Sequence, residues 1–571
     1  MHARFSPCRS LPRAELRIRS LGVCGMWLAV VLYAASDSTG DLRGWVSCGN
    51  LPDLRWPDFS DFQPDVKTFY EASEYSPVWS RAGKLTHQAE ILIAVLSDAG
   101  EKGLDADDYD ASRWVQRVAT LKTAGTPDNL ARFDLALTVS LMRYASDLNV
   151  GRLNSGLYCP GFNIGQERCE MGELVRRLAG AEDPCVLLAA LEPSFPGFQR
   201  TLKALDRYVA MAREDDGELL PATKKPVEPG TDYAGVPRLA RLLRRLGDFP
   251  ANAPAPAKYE GSLVDAVKRF QARHGLDPDG RLGKSTLVEL NTPLAQRVRQ
   301  LQLTLERWRW VPREFPRPPL IVNLPEFELH ALNDSFATEL EMKIVVGKAY
   351  GHQTPVFAAE MNEVIFRPYW NVPASITRAE LLPKIVKDPS YLVKNGYEVV
   401  TKRDEVVTRE DVNDEILSQI RAGTLSIRQI PGPKNSLGLV KFLFPNQHDV
   451  YLHDTPATEL FSRSRRDFSH GCMRVEKPVE LAQWVLRGQN EWTVEKIRAA
   501  MSGTAPLSVI LARPIPVLIV YATAVVRDTG DVRFFDDIYG QDAALEALLA
   551  QGFPRRSWPP TTGAHVPRRR E

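Results

Sequence analysis

Residues 463–478 read RSRRDFSHGCMRVEKP, and residues 449–456 upstream of them read DVYLHDTP. These two stretches decide the reading of the C-terminal part of the chain. In DVYLHDTP, strand alternation puts Tyr451 and His453 on one face and Val450 and Leu452 on the other, and Asp454, Thr455 and Pro456 close it with a turn. A histidine at a strand end is placed to reach out of a sheet. A loop carrying Arg463, Arg465 and Arg466 then lets the chain return to Cys472 beside the strand it left.

A thiol titrates near ~8.5 and must lose its proton to attack a carbonyl; nearby imidazolium or guanidinium lowers that value. His453 can take the proton as general base if a third group fixes its tautomer. Gly471 permits a backbone turn closed to residues with a Cβ. That turn aims the Gly471 and Cys472 N–H groups at a developing oxyanion, an interaction worth roughly 3–4 kcal/mol per donor. Arg474 shares a face with Cys472 in an extended segment, to hold a substrate carboxylate or to support the thiolate. Nucleophile, base, oxyanion donors and a cation together describe acyl transfer.

The cysteine count sharpens this reading. Arg4, Arg9, Arg13, Arg17 and Arg19 precede the apolar run LGVCGMWLAVVLYAA at residues 21–35, which ends in small residues. This is the pattern of a secretory signal, and the run is short for a bilayer-spanning helix, which needs roughly 20 apolar residues. Cleavage near Ala35 or Ser36 is expected, with a retained anchor as the alternative. Of seven cysteines the mature chain would keep Cys48, Cys159, Cys169, Cys185 and Cys472. The first four can pair in an oxidising compartment, with a connectivity that sequence leaves open, whereas Cys472 stands far from all of them. A net charge of +1 excludes nucleic acid as a bulk partner. His448, His453, His470 and Cys472 raise a zinc reading. However, structural zinc favours tight CxxC or HxxxH spacings, and alternation turns His448 and His453 to opposite faces. No metal and no cofactor are expected.

SHGCMRV with YLHDTP before it resembles the signature of the L,D-transpeptidases, cysteine enzymes that cross-link peptidoglycan. RPYWNVP (367–373), the segment 375–400 and RQIPGPKNSLGLVKFLFPN (428–446) resemble the large multi-domain Gram-negative branch of that family. FYEASEYSPVW (69–79) and LTVSLMRYASDLNVGRLN (137–154) resemble its helical scaffold, and residues 520–542 its C-terminal segment. The resemblance implies Cys472 as nucleophile, His453 as general base, Gly471 as an oxyanion backbone donor, and the main-chain carbonyl of Asp454 as the group orienting His453. It places His470, Arg474, Tyr451, Trp370 and Ser469 around the substrate, with a plain packing role as the alternative for Trp370.

A second module speaks for the cell wall independently. Residues 258–291 hold an amphipathic helix with Leu263, Ala266, Val267 and Phe270 in register, an Asp- and Gly-rich turn, and a shorter helix from Leu282 to Leu290. With VPRLARLLRRLGDF before them they resemble a small peptidoglycan-binding domain. His274 there reads as a surface or capping residue.

The expected fold class is α+β and multi-domain: a mostly helical scaffold, the small three-helix module, and a largely β catalytic domain with an inserted cap. The expected divisions are 1–36 signal or anchor, 37–56 linker, 57–225 scaffold, 233–292 peptidoglycan-binding-like module, 317–515 catalytic domain and 516–571 C-terminal segment, with a disordered tail. Residues 217–237 read as a Pro- and Gly-rich linker. The charged residues of LAQRVRQLQLTLERWRW read as a solvated face. The cap, about 374–429, reads as helical and charged, and is expected to hold the stem peptide and exclude water.

The function implied is a periplasmic L,D-transpeptidase of cell-wall biogenesis and cell shape. It would take a tetrapeptide-stem donor and a diaminopimelate-type acceptor to a 3–3 cross-link, and carbapenem-type β-lactams would acylate it. The rivals are the same thioester with an outer-membrane protein lysine, a D-amino acid or water as acceptor, and a non-catalytic wall-binding scaffold.

Overall fold

The computed structural model describes residues 38–81, 83–153, 170–315, 318–410 and 412–554. The signal, Cys159, Cys169 and the tail lie outside the described residues. Cys185 is disulfide-bonded, whereas Cys48 is free and exposed. No described helix is long and apolar enough to cross a membrane.

The helical scaffold is built around the helix Pro127–Val150. Thr126 caps its start by accepting from the Asn129 N–H, a proline occupies the first turn, and Gly151 at φ +77° ends it. Burial continues all round the helix from Phe133 to Leu148, as expected of a central helix. Of the two acids in that stretch, Asp134 and Asp147, Asp134 accepts from the Val78 and Trp79 N–H groups and the Tyr70 hydroxyl, each at 2.8 Å. Burial nevertheless pushes the Asp134 carboxyl up to about 7.

The segment read as a linker, 37–56, is instead part of this scaffold: Ser38–Cys48 is helical, and Leu42, Val46, Leu51 and Leu54 are buried in the scaffold core. Likewise, residues 217–237 do not run free, because Leu220, Val227 and Tyr233 join the core of the small module.

That module packs Val236–Leu246, Ser262–Arg273 and Lys284–Leu290 over Leu239, Leu243, Leu263, Val267 and Phe270. His274 ends the middle helix but is no surface residue. Its ring stacks on Phe270 at 3.8 Å and its Nδ1 lies 2.8 Å from the Phe270 carbonyl, so it is buried and neutral.

The helix Leu294–Trp308 carries the next difference. Its charges, with Arg309 beyond its end, are largely buried rather than solvated, because the helix is enclosed by Pro196–Arg213 and the C-terminal elements. Arg297 pairs with Glu289 and Arg307 with Asp542, and the Glu306 carboxylate accepts from the Leu153 N–H and the Trp310 indole.

The catalytic part is a closed sheet. Around the ring lie Thr338–Gly347, Met473–Val475, Leu452–His453, Val440–Leu443, Phe357–Phe366, Leu507–Val520, Leu320–Asn323 and Glu328–Leu332, the last pairing back onto the first. Asp467–Ser469 adds in parallel to the other side of Thr338–Gly347. The strand Leu507–Val520 runs past the expected division at 515, and its far half pairs with Leu320–Asn323.

The cap differs from its reading too. Besides short helices it contains a four-stranded sheet of Trp370–Asn371, Ser426–Gln429, Tyr397–Val400 and Val406–Thr408, over its own core of Leu381, Ile385, Val399 and Ile427. Short polar-flanked strands hid it. Glu398, buried in that sheet, is held by Arg409 and Arg428 at 2.8 and 2.6 Å.

Beyond Val520 a hairpin, Ala524–Val526 with Val532–Phe534, packs on the helices Pro196–Arg213 and Leu294–Trp308. The helix Gln541–Leu549 follows, and Phe553 then enters the scaffold core, its ring under Arg143 and Arg152.

Candidate active site

His453 ends the two-residue strand Leu452–His453, which pairs antiparallel with Val440–Leu443 and parallel with Met473–Val475. In that register His453 faces Lys441 on one side and Arg474 on the other. Its Nδ1 lies 2.5 Å from the Asp454 carbonyl oxygen, so Nδ1 carries the proton and Nε2 keeps its lone pair. The Asp454 side chain braces this arrangement, accepting from the Leu439 N–H at 2.8 Å and the Thr455 N–H at 2.7 Å. Burial, with Arg474 and Lys441 adding to it, brings the His453 imidazole down to about 3.

Gly438 makes room for this brace. It sits at φ +63°, and a Cβ there would lie 2.4 Å from the Asp454 Cγ. Gly438→Ala is expected to displace Asp454, lower stability by about 1–3 kcal/mol and slow turnover about tenfold or more. Thermal melting and turnover measured on the same preparation check it.

Cys472 is half-buried, and its Sγ lies 3.7 Å from the Asp449 carbonyl. Burial pushes its thiol up, while hydrogen bonds from the Tyr451 N–H and hydroxyl and the charge of Lys441 act the other way. The Trp370 side chain reaches the Tyr451 hydroxyl from the cap sheet, on the side of Cys472. Tyr451 and His453 rings stand 5.8 Å apart. Cys472, His453, Tyr451, Trp370 and Arg474 therefore meet at one place.

Two expected roles change. The Gly471 N–H, at φ +120°, already donates to Ser469 Oγ at 3.2 Å, so it does not stand free for an oxyanion; among the described residues no backbone carbonyl accepts from the Cys472 N–H. Ser469 is buried and holds this turn rather than meeting substrate. Thr354, fully buried, fixes the turn from below, accepting from the Gly347 N–H at 2.9 Å and donating to the Gly471 carbonyl at 2.8 Å.

His470 lines the approach, with Nε2 2.6 Å from Glu380 Oε1 on a π-helical turn of the cap, Thr377–Leu381. Its ring meets His352 edge-on at 4.7 Å. Arg474 has a buried Nε without a hydrogen bond.

The sequence reading missed Lys441, Glu380, His352 and Thr354. Only Lys441 left a signal: in VKFLF the buried positions are Val440, Phe442 and Phe444, so a lysine points to the opposite, site-facing side. His448 is exposed in the turn before Val450, its ring beside Phe357.

One other cluster has metal-ligand chemistry. Glu326, Glu328 and His330 bring ligand atoms within 4.8 Å of one another, three strands from His453 in the ring. A guanidinium already answers their charge: Arg527 lies 2.6 Å from Glu328 and 3.4 Å from Glu326, and also pairs with Glu341. The cluster is an ion-pair network.

Comparison with known proteins follows the same divisions. Residues 318–498 match the family model described as "L,D-transpeptidase catalytic domain", residues 64–205 the "Scaffold domain", and residues 233–290 the "Putative peptidoglycan binding domain". A protein of Haemophilus influenzae named "Putative L,D-transpeptidase" is 31% identical over 248 residues, covering 43% of this chain and 49% of its own. The chain thus spans about half the length of the curated relative it matches. A crystal structure of the L,D-transpeptidase from Xylanimonas cellulosilytica aligns over 52% of this chain and 100% of its own, at 14% identity and a TM-score of 0.17.

Proposed function

Residues 318–498 match the L,D-transpeptidase catalytic-domain family, and from that premise we propose that the chain is an L,D-transpeptidase that forms 3–3 cross-links in peptidoglycan by a thioester on Cys472. The observation that carries this reading is the tautomer of His453: Nδ1 is committed to the Asp454 carbonyl, leaving Nε2 as a base in the pocket that holds the Cys472 thiol. In the first half-reaction Cys472 Sγ bonds to the carbonyl carbon of the third stem residue. The bond to D-Ala breaks, and the thiol proton passes through His453 to the departing amine. In the second, the side-chain amine of a neighbouring third residue forms the new amide. The C–S bond breaks, and the amine's proton returns through His453 to sulfur.

The Cys472 N–H is the donor available to the oxyanion, and the cap, tied down by Trp370 and Glu380, limits water at the thioester. The peptidoglycan-binding-like module at 233–290 supports a polymeric wall substrate. The same thioester chemistry makes a carbapenem-type β-lactam an acylating inhibitor, and the basic, apolar N-terminus supports export to the periplasm.

The test is incubation of purified sacculi with the protein, muramidase digestion and mass spectrometry. New dimers joined through two third residues are the expected result. Shortened tripeptide stems without such dimers would overturn the proposal in favour of hydrolysis or another acceptor.

The pH dependence follows from the burial of His453. Its folded value of about 3 lies below the ~6.5 of an unfolded histidine, so stability from keeping it neutral is fully present above ~6.5 and is lost as pH falls toward 3. His453→Gln is therefore expected to lose less melting temperature than the parent between pH 7 and pH 4. For the same reason kcat/KM is expected to show no acid limb near pH 6.5 and to rise toward the thiol's own titration. A pH–rate profile with a carbapenem as acylating agent reads this directly.

A further inference from the structure

We propose that Lys441 is the electrostatic partner of the Cys472 thiolate, a positioning residue that favours ionisation of the sulfur. The proposal rests on the reading above only in taking Cys472 as the nucleophile.

Three observations carry it. Lys441 occupies the strand Val440–Leu443 directly opposite His453, so it belongs to the same face as the base. Its Nζ lies 3.8 Å from the centroid of the Tyr451 ring, the residue whose N–H and hydroxyl both turn toward the sulfur. It is half-buried, and among the described residues it forms no ion pair with a carboxylate; the negative groups it feels are Cys472, Glu363 and Asp449. Other cations of the sheet domain are spent differently: Arg466 donates to four main-chain carbonyls, Lys343 to the Phe461 carbonyl, and Arg527 to three glutamates. A half-buried ammonium that no carboxylate answers is costly unless charge develops beside it.

The groups that face Lys441 are Tyr451 and His453 on one neighbouring strand, Glu363 on the other, and Cys472 and Asp449 beyond. Glu363 is engaged by the Ser508 hydroxyl, and Asp449 is exposed. Cys472 is the group among these whose charge appears during the reaction. With Arg474 on the far side, His453 lies between two cations, which disfavour the imidazolium while Lys441 favours the thiolate. The arrangement stabilises the sulfur anion and keeps the imidazolium short-lived. A proton taken from the thiol is thus readily given to the departing amine.

Lys441→Met keeps the stem of the side chain and removes the charge, Lys441→Arg keeps the charge, and Lys441→Gln serves where the methionine variant does not fold. The readout is the pH dependence of Cys472 alkylation by iodoacetamide, followed on the Cys472 peptide by mass spectrometry in a Cys48→Ser background, because Cys48 is also free. The charge-removing variants are expected to move the alkylation midpoint up by about one pH unit and to slow labelling at neutral pH about tenfold, with Lys441→Arg close to the parent. A midpoint unmoved in a folded Lys441→Met or Lys441→Gln protein would overturn the proposal, since a merely structural lysine has no reason to shift it. The assay uses no peptidoglycan, so its outcome stands whether or not third-residue dimers form.

Discussion

Sacculi incubated with the Cys472→Ala protein are expected to yield no new third-residue dimers, and intact-mass analysis is expected to find no carbapenem adduct. The loss should be complete within detection, because no thiol remains there to form the thioester: the Tyr451 hydroxyl is held up by burial, and the other side chains at the site are an indole, imidazoles, a guanidinium and the Lys441 ammonium. The thiol makes only weak bonds, a long contact to the Asp449 carbonyl and those it receives from Tyr451, so the variant should melt within about 1 kcal/mol of the parent. Binding to sacculi should also survive, which separates loss of chemistry from loss of attachment. A Cys472→Ala protein that still forms dimers would remove the thioester from the mechanism.

His453→Ala is expected to lower the rate of acylation by about 10³-fold, within the range of roughly 10²–10⁴ found for general acid–base groups. Two effects combine. The proton acceptor for the thiol disappears, and so does the proton donor for the departing amine. Unlike the cysteine variant, this one should still acquire a slow carbapenem adduct, increasingly so as the pH rises, because hydroxide can ionise the thiol that His453 no longer deprotonates. Rates of adduct formation by intact mass across pH distinguish the two outcomes. A rate within tenfold of the parent would mean that another base serves Cys472.

How far the sequence foretold these arrangements depended on the range of the forces involved. Cys472, His453, Tyr451 and Trp370 lie in short motifs whose strand alternation already fixes direction, and the structure brings them together. The Asp454 carbonyl was implied by the family resemblance, and it lies one residue from His453, within reach of Nδ1. Glu380 and Thr354 reach the site from a cap turn and from a loop far away in the chain, and nothing in their neighbours marks them. The buried charges of Leu294–Trp308 were misread because amphipathicity reports a face without saying whether water or another helix covers it. The helix Ser38–Cys48 was misread as linker because its Leu42 and Val46 have no partners until the scaffold is assembled. Hydroxyl and amide partners at Gly471 lie beyond any periodicity, since Ser469 Oγ competes with the oxyanion role at atomic scale.

Phe553, lodged under Arg143 and Arg152, has a consequence for how the molecule comes into being. Arg152 also donates to the Leu549 carbonyl, 397 residues along the chain, so the first domain made is finished only when nearly the last described residues arrive. During synthesis the scaffold must wait, incomplete, while the small module, the barrel and the cap emerge. Loop closure on that scale is among the slowest steps a chain can take. A proteolytic nick near residue 550 would therefore register as loosening at the opposite end of the polypeptide, and a scaffold expressed alone would lack its own plug.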